Sequence, residues 1–408
     1  MGEAAEGAGS PRRQLLRKAE SLAYWLVGAP LVASLPASLA YRVACWRGDW
    51  ASRSWPEQRS EMIDDLRQVL GDELTLNEAE RLTRDLFRFR SCEVIDVMRL
   101  RGRARSLARL VEIRGREHLQ AALAGGKGAI LCTAHYGSHQ SVFSLLHASG
   151  IPLTTMGRWD WNYDTGVSSI ERRFWNLVFA RRVLRHRQRP NIEPWPGRVQ
   201  VAAQAAAALR ANEVVTISSD AAPLHAERAR AVEMPFLGRQ ARLMPGVITL
   251  AQLTGAPVLM AFAHRSPDYR HQVLEISPPV PLDGQPETAF GRCAAAIEAA
   301  IRTSPAQWNF WFEAEVLARL GVLPAPSIGT AALSRQLSCF ARVTTGWCRR
   351  PWWCPPGWGD QAPHRVRSIS SRIPAAAPAT WSRRRSRRAV SWGSAPPRCN
   401  DQINPRNV

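Results

Sequence analysis

Apolar and polar positions alternate along this chain in two ways. From Gly128 the residues Ala129, Ile130, Leu131 and Cys132 run without a charge into Thr133 and Ala134, which predicts a buried strand. Gly137 permits a sharp turn after it. Ser138 can cap a helix whose apolar positions are Val142, Phe143, Leu145 and Leu146. A second block repeats the alternation. Val214 to Ile217 form a short β-branched strand ending at Asp220, and Val247 to Leu253 read as a helix. Gly255, Ala256 and Pro257 turn into the strand VLMAFAH. After a polar turn at Ser266 to Arg270, QVLEISPPV is another strand. Upstream, Glu57 to Leu70 places Met62, Ile63, Leu66, Val69 and Leu70 on one helix face, and Gly71 stops it. Thr75 and Glu78 have the spacing of a capping box before a long helix from Asn77 to about Leu100, and Leu110 to Ile113 opens the sheet. Both helices read as packing elements without chemistry. The pattern predicts an α/β fold, a mixed central sheet flanked by helices, with a helical connector over 51–109 and the core over 110–323.

The two ends differ from this core. Leu22 to Tyr41 holds no charge and is flanked by Arg12, Arg13, Arg17 and Lys18 before it and Arg42 and Arg47 after it. That makes residues 1–50 a candidate membrane-anchoring segment with membrane-associated helices. Pro30 and Pro36 interrupt the run, so a bilayer span, an interfacial hairpin and a cleaved leader all compete. Residues 324–408 form a basic tail. From Ala331 on there are 14 Arg and two acids, Asp360 and Asp401, so 14 − 2 = +12 of the chain's +20 lies there and +8 in the first 330 residues. Trp is strewn through WCRRPWWCPPGW and beyond without period. The composition is that of a disordered segment and resembles out-of-frame translation of a GC-rich gene; a lipid- or nucleic-acid-binding tail is the alternative.

Composition changes the picture little otherwise. The 408 residues include just two lysines, Lys18 and Lys127, so basic charge is carried by Arg throughout. The net charge alone would suggest a nucleic-acid partner, but the tail accounts for most of it. Cys45, Cys92, Cys132 and Cys293 are scattered without CxxC spacing, which argues against a structural zinc or a disulfide framework and suits a reducing compartment. Between Val167 and Arg189 a basic helix is expected, with Arg172, Arg173, Arg181, Arg182, Arg185 and Arg187 set among Phe174, Trp175, Leu177, Val178 and Phe179. It suits anionic head groups, or is a solvated Arg face over a buried apolar one.

The candidate chemistry centres on His135, placed where the first strand should end. Open α/β sheets put their reactive groups at that position, and imidazole can act there as a general base. The competing reading is a loop histidine that only hydrogen-bonds.

Taken in order, the Gly128–Ser144 stretch, the Glu213–Val280 block with Pro235, Phe236, Leu237 and Gly238, and SPAQWNFWFEAE from Ser304 resemble the lipid A biosynthesis lauroyl/myristoyl acyltransferases, within the lysophospholipid acyltransferase superfamily, over Leu15 to Leu323. The resemblance implies a His-x4-Asp/Glu signature. His135 matches the histidine, but Gln140 stands where the acid should. His139 does not restore the signature, since its own fifth successor is Ser144. Gln140 could fix the imidazole tautomer but not offset its charge. It suffices at a lower rate, or a carboxylate from elsewhere such as Asp220 or Asp160 replaces it, or catalysis is lost. The resemblance further implies substrate contacts from Arg158, Asp220 and the backbone N–H groups near Gly137. Asp220 is followed by Ala221 and Ala222 in place of further acids. In the closing motif Trp308 and Trp311 are kept, while Phe312, Glu313 and Ala314 replace its basic part. The implied reaction moves a fatty acyl chain from an acyl carrier protein or CoA thioester to a glycolipid or lysolipid hydroxyl. His135 would be the general base, with no covalent intermediate, no cofactor and no metal. The place implied is the cytoplasmic face of the inner membrane. A silent lipid-binding relative is the alternative.

Overall fold

The computed structural model describes residues 23–71, 74–102, 104–156, 200–221 and 231–324. Arg12 to Lys18, Arg158, Asp160, Ala222, the basic stretch 167–189 and the tail from Ala331 lie outside them. The sheet is built from β1 (Val111–Arg114), β2 (Ala129–Thr133), β3 (Leu153–Met156), β4 (Val214–Ser218), β7 (Val258–Arg265) and β8 (Gln272–Pro279) in the order β1-β8-β7-β2-β4-β3. β7 and β8 pair antiparallel across their short polar turn, and the other neighbours are parallel. The sheet is therefore mixed, as the pattern predicts. β2 is buried along its whole length, which is why it reads as a continuous apolar run.

Helices cover both faces. Ile130, Cys132, Val215, Ile217 and Met260 share one core with α8 (Gln200–Arg210), α9 (Gly246–Thr254) and α10 (Pro286–Thr303). Ala129, Leu131, Val214, Leu259 and Ala261 form the other with α6 (Arg116–Ala124) and α7 (His139–Ala148). The connector forms α3 (Pro56–Leu70) and α4 (Leu76–Gly102), followed by the short α5 (Ala104–Ala108). Met62, Ile63, Leu66 and Val69 are buried on α3. The Thr75–Glu78 capping box closes reciprocally, Thr75 N–H to Glu78 at 3.0 Å and Glu78 N–H to Thr75 Oγ1 at 3.3 Å. The described residues end with two 3₁₀ turns, Pro305–Gln307 and Asn309–Phe312, and α11 (Ala314–Leu320).

The pattern does not predict the small antiparallel hairpin of β5 (Val232–Phe236) and β6 (Arg239–Leu243). Its two-residue turn places Leu237 at φ 53° and Gly238 at φ 73°, the double left-handed geometry of a type I′ turn. Pro235 sits within β5, a place open to it in a two-stranded ribbon.

The N-terminal run Leu22–Tyr41 does not form one helix. α1 (Ala29–Ser34) stops before Leu35 and Pro36, and α2 (Ala37–Ser54) starts anew. Pro36 lacks the N–H that would continue the helix ladder. Ala33, Ala40 and Tyr41 are buried with Cys92 and Ile95 of α4, while Val27, Leu31 and Leu39 stay exposed. Among the described residues no helix is long and apolar enough to cross a membrane.

Candidate active site

The site follows from strand register. β2 and β4 are parallel neighbours with Thr133 opposite Ser218, the last residue of each. Two residues past each end stand His135 and Asp220. The Ser219 N–H donates to the Thr133 carbonyl at 2.9 Å and carries the ladder one step further. Residues 85 apart in sequence therefore meet, with His135 Nδ1 2.8 Å from Asp220 Oδ1. Asp220 is fully buried. Its Oδ2 accepts the His135 backbone N–H at 2.7 Å and the Trp308 indole N–H at 2.9 Å.

These contacts set both protonation equilibria. Burial would raise the Asp220 carboxyl, but the His135 charge and the hydrogen bonds from His135 and Trp308 outweigh it and hold it below the usual carboxylate range. Burial would likewise push the His135 imidazole down, but the Asp220 carboxylate outweighs that and holds it above its ordinary value. A carboxylate on Nδ1 fixes the proton there and leaves Nε2 with its lone pair. The His135 side chain keeps 24% exposure against none for Asp220. This arrangement can take a proton from a hydroxyl and stabilise the imidazolium that results.

The closing segment clamps the histidine loop. Asn309 N–H donates to the His135 carbonyl at 2.9 Å, and Gly137 N–H donates to the Gln307 carbonyl at 2.8 Å. The Phe310 ring lies 4.5 Å from the His135 ring, centre to centre, and His139 meets it edge-on at 5.7 Å. Gly137, expected to lend its N–H to an oxyanion, thus has that N–H engaged by Gln307. What it supplies is room: its φ is +60°, and a Cβ would fall 1.5 Å from the Ala263 carbonyl oxygen. Gln140, expected beside the imidazole, lies on the first turn of α7 and accepts the Ser144 hydroxyl on its own carbonyl at 2.7 Å. The acid on Nδ1 is Asp220. Ser138, expected to cap α7, makes no cap with its side chain and accepts the Arg265 guanidinium instead.

Behind the loop lies a polar cluster that sequence reasoning missed. The Arg265 guanidinium bonds Asp96 and the Tyr269 carbonyl. Tyr41 and Gln272 also donate to Asp96, at 2.5 and 3.1 Å. Glu93 accepts from Arg90 at 3.1 Å and Asn309 at 3.3 Å. The signal was present: Phe89, Glu93, Asp96 and Leu100 recur at helical spacing, so two acids share the apolar stripe of α4 and must be buried.

No curated protein matches the chain. The family of bacterial lipid A biosynthesis acyltransferases matches residues 10–316, most of the chain and all of the site just described. The chain belongs to that family, and is accordingly an acyltransferase acting on lipid A or a related lipid.

Proposed function

We propose that the protein transfers a fatty acyl chain from a thioester, carried by acyl carrier protein or CoA, to a hydroxyl of a glycolipid or lysolipid, with His135 as base and Asp220 as its carboxylate partner. The observation that carries this is the 2.8 Å contact between His135 Nδ1 and a buried carboxylate. His135 Nε2 takes the acceptor's proton, the alkoxide attacks the thioester carbonyl, and the imidazolium gives the proton to the departing thiolate. Asp220 offsets the imidazolium charge throughout. The silent-relative reading rested on Gln140 and the altered closing motif; for the first of these, Asp220 supplies the charge that Gln140 lacks. Arg158 has a role here as a contact for an anionic part of a substrate.

The reaction takes place, in this proposal, on the cytoplasmic face of the inner membrane. Support comes from α2, where Leu39, Trp46 and Trp50 lie seven and four residues apart on one side and are 46%, 67% and 40% exposed. Exposed Trp beside Arg suits the boundary between head groups and acyl chains.

The test is acyl transfer by purified protein in detergent, offered acyl carrier thioesters with lysolipid or lipid A precursor. His135→Ala is expected to abolish it. Undiminished transfer by that variant overturns the mechanism.

A further inference from the structure

The Asp220 carboxylate has the His135 ring on Oδ1, and on Oδ2 the His135 backbone N–H and the Trp308 indole N–H, the last at 2.9 Å. Two of these three contacts belong to His135 itself. The indole comes from the closing segment, 88 residues away from Asp220. Trp308 is held firmly there. It is fully buried, and its backbone bridges to Tyr136, the residue after His135. Phe236, Phe310 and Trp311 meet its ring edge-on, with centres 6.4, 5.7 and 5.2 Å away. The preceding Gln307 side chain bonds both the N–H and the carbonyl of Arg265, at 2.7 and 3.0 Å. An indole has one N–H and no acceptor, so its bond to Asp220 has a fixed direction.

We infer that Trp308 is a positioning residue of the acyl-transfer pair that helps to set the pH at which His135 works: its indole N–H draws on the Asp220 carboxylate and so loosens the carboxylate's hold on the imidazole proton. This rests on the proposal that His135 is the base. A carboxylate shut away from solvent depends on protein donors to spread its charge. A donor on Oδ2 steadies the anion, and the positive end of the same N–H opposes an imidazolium on the other side. Asp220 raises His135, and a base raised far enough is idle near neutrality. Trp308 limits that rise. The charged groups facing His135 are Asp220, Glu313 of the closing segment and Glu93 of α4, with His139 of α7 edge-on to the ring. Of these groups, the indole N–H bonds Asp220.

The experiment follows the His135 titration by NMR in the full-length protein in detergent, the signal assigned by its loss in His135→Ala. It also records the acid limb of acyl transfer in the same samples. Trp308→Phe removes the N–H. A second variant carries 3-benzothienylalanine in place of Trp308, which keeps the two-ring shape with sulfur where the N–H was, and so tests the bond even where Phe packs too poorly to fold. Trp311→Phe is the matched control, since Trp311 is also buried and its indole N–H goes to the Pro305 carbonyl at 2.9 Å. Loss of the Trp308 N–H is expected to move the titration and the limb up by about 0.5–1 pH unit, the scale of one hydrogen bond to a buried charge. Transfer below the limb should then fall about three- to tenfold, while the alkaline plateau stays within about threefold of wild type. Trp311→Phe should move neither by more than about 0.2 pH unit. The direction is diagnostic, because removing the Asp220 charge lowers His135 and loss of packing alone has no cause to raise it. A His135 titration that stays put or moves down without the Trp308 N–H, or that moves as far in Trp311→Phe, overturns the inference. A titration that rises while the activity limb does not would show that the indole acts on His135 as inferred and that His135 is not the base, so the two ideas fail separately.

Discussion

Arg265–Asp96 and His135–Asp220 are both buried ion pairs, and each joins the sheet's strand ends to a distant part of the chain. In the first, both side chains are shut away, at 1% and 0% exposure. In the second the acid is just as hidden, but the imidazole keeps 24%. Burial would lower the Arg265 guanidinium, but Asp96 and neighbouring groups outweigh it and lift it beyond an already high range. Arg265 has no proton to give or take at any working pH, and its bonds tie α4, β7 and the start of α7 together. His135 can change its charge, with its pKa held above the ordinary imidazole value by Asp220, and the bond at Nδ1 leaves its Nε2 to act. A buried ion pair becomes a reagent only where one partner can change its charge and a substrate can reach it.

The largest effect should come from breaking the reactive pair without emptying its site. Asp220→Asn keeps the volume but cannot offset the imidazolium. Acyl transfer is expected to fall ~10²–10⁴-fold, the range for a disabled general base, with the urea midpoint little changed. If transfer stays near wild type, Asp220 is not the working partner. Next comes the structural pair. Arg265→Met leaves Asp96 buried and uncompensated, so urea unfolding should show a loss of ~3–5 kcal/mol. Transfer per folded molecule should stay within roughly threefold of wild type. A variant that is stable but inactive would break the comparison.

The pH profile sharpens it further. His135 must be neutral to act as base, and its pKa is raised above the ordinary 6.5. The rate should therefore rise with pH through a value above 6.5, and Asp220→Asn should move that acid limb down. Stability runs the other way. A raised folded-state pKa contributes stability that is complete below 6.5 and is lost as pH rises through the folded value. The pair is thus strongest where it is least active. The smallest effect is expected at Gln140. Because Asp220 holds Nδ1, Gln140→Glu should change the rate by under about threefold. A large increase would mean that Asp220 does not act alone.

Much of the fold was legible. β2, β4, β7, β8, α3 and the capping box of α4 lie where periodicity places them, because each is long or strongly patterned. His135 stood out because a charge-free strand ends beside it. Its partner was left among alternatives because local pattern gives no strand order: nothing in the sequence says that β4 lies beside β2, and without that Asp220 is one acid among several. Asp96 and Glu93 were passed over because acids on a long helix usually face water. The β5–β6 hairpin was missed because its turn residue Leu237 takes a left-handed conformation that its type gives no reason to expect.

The matched ends of β2 and β4 bear on where the His135–Asp220 pair comes from. His135 and Asp220 are held in place by five paired rungs of backbone, from Ala129 opposite Val214 to Thr133 opposite Ser218. The chain between them returns to the sheet through β3, which pairs with the far edge of β4. In this chain the carboxylate on the histidine comes from the neighbouring strand and not from the position five residues on.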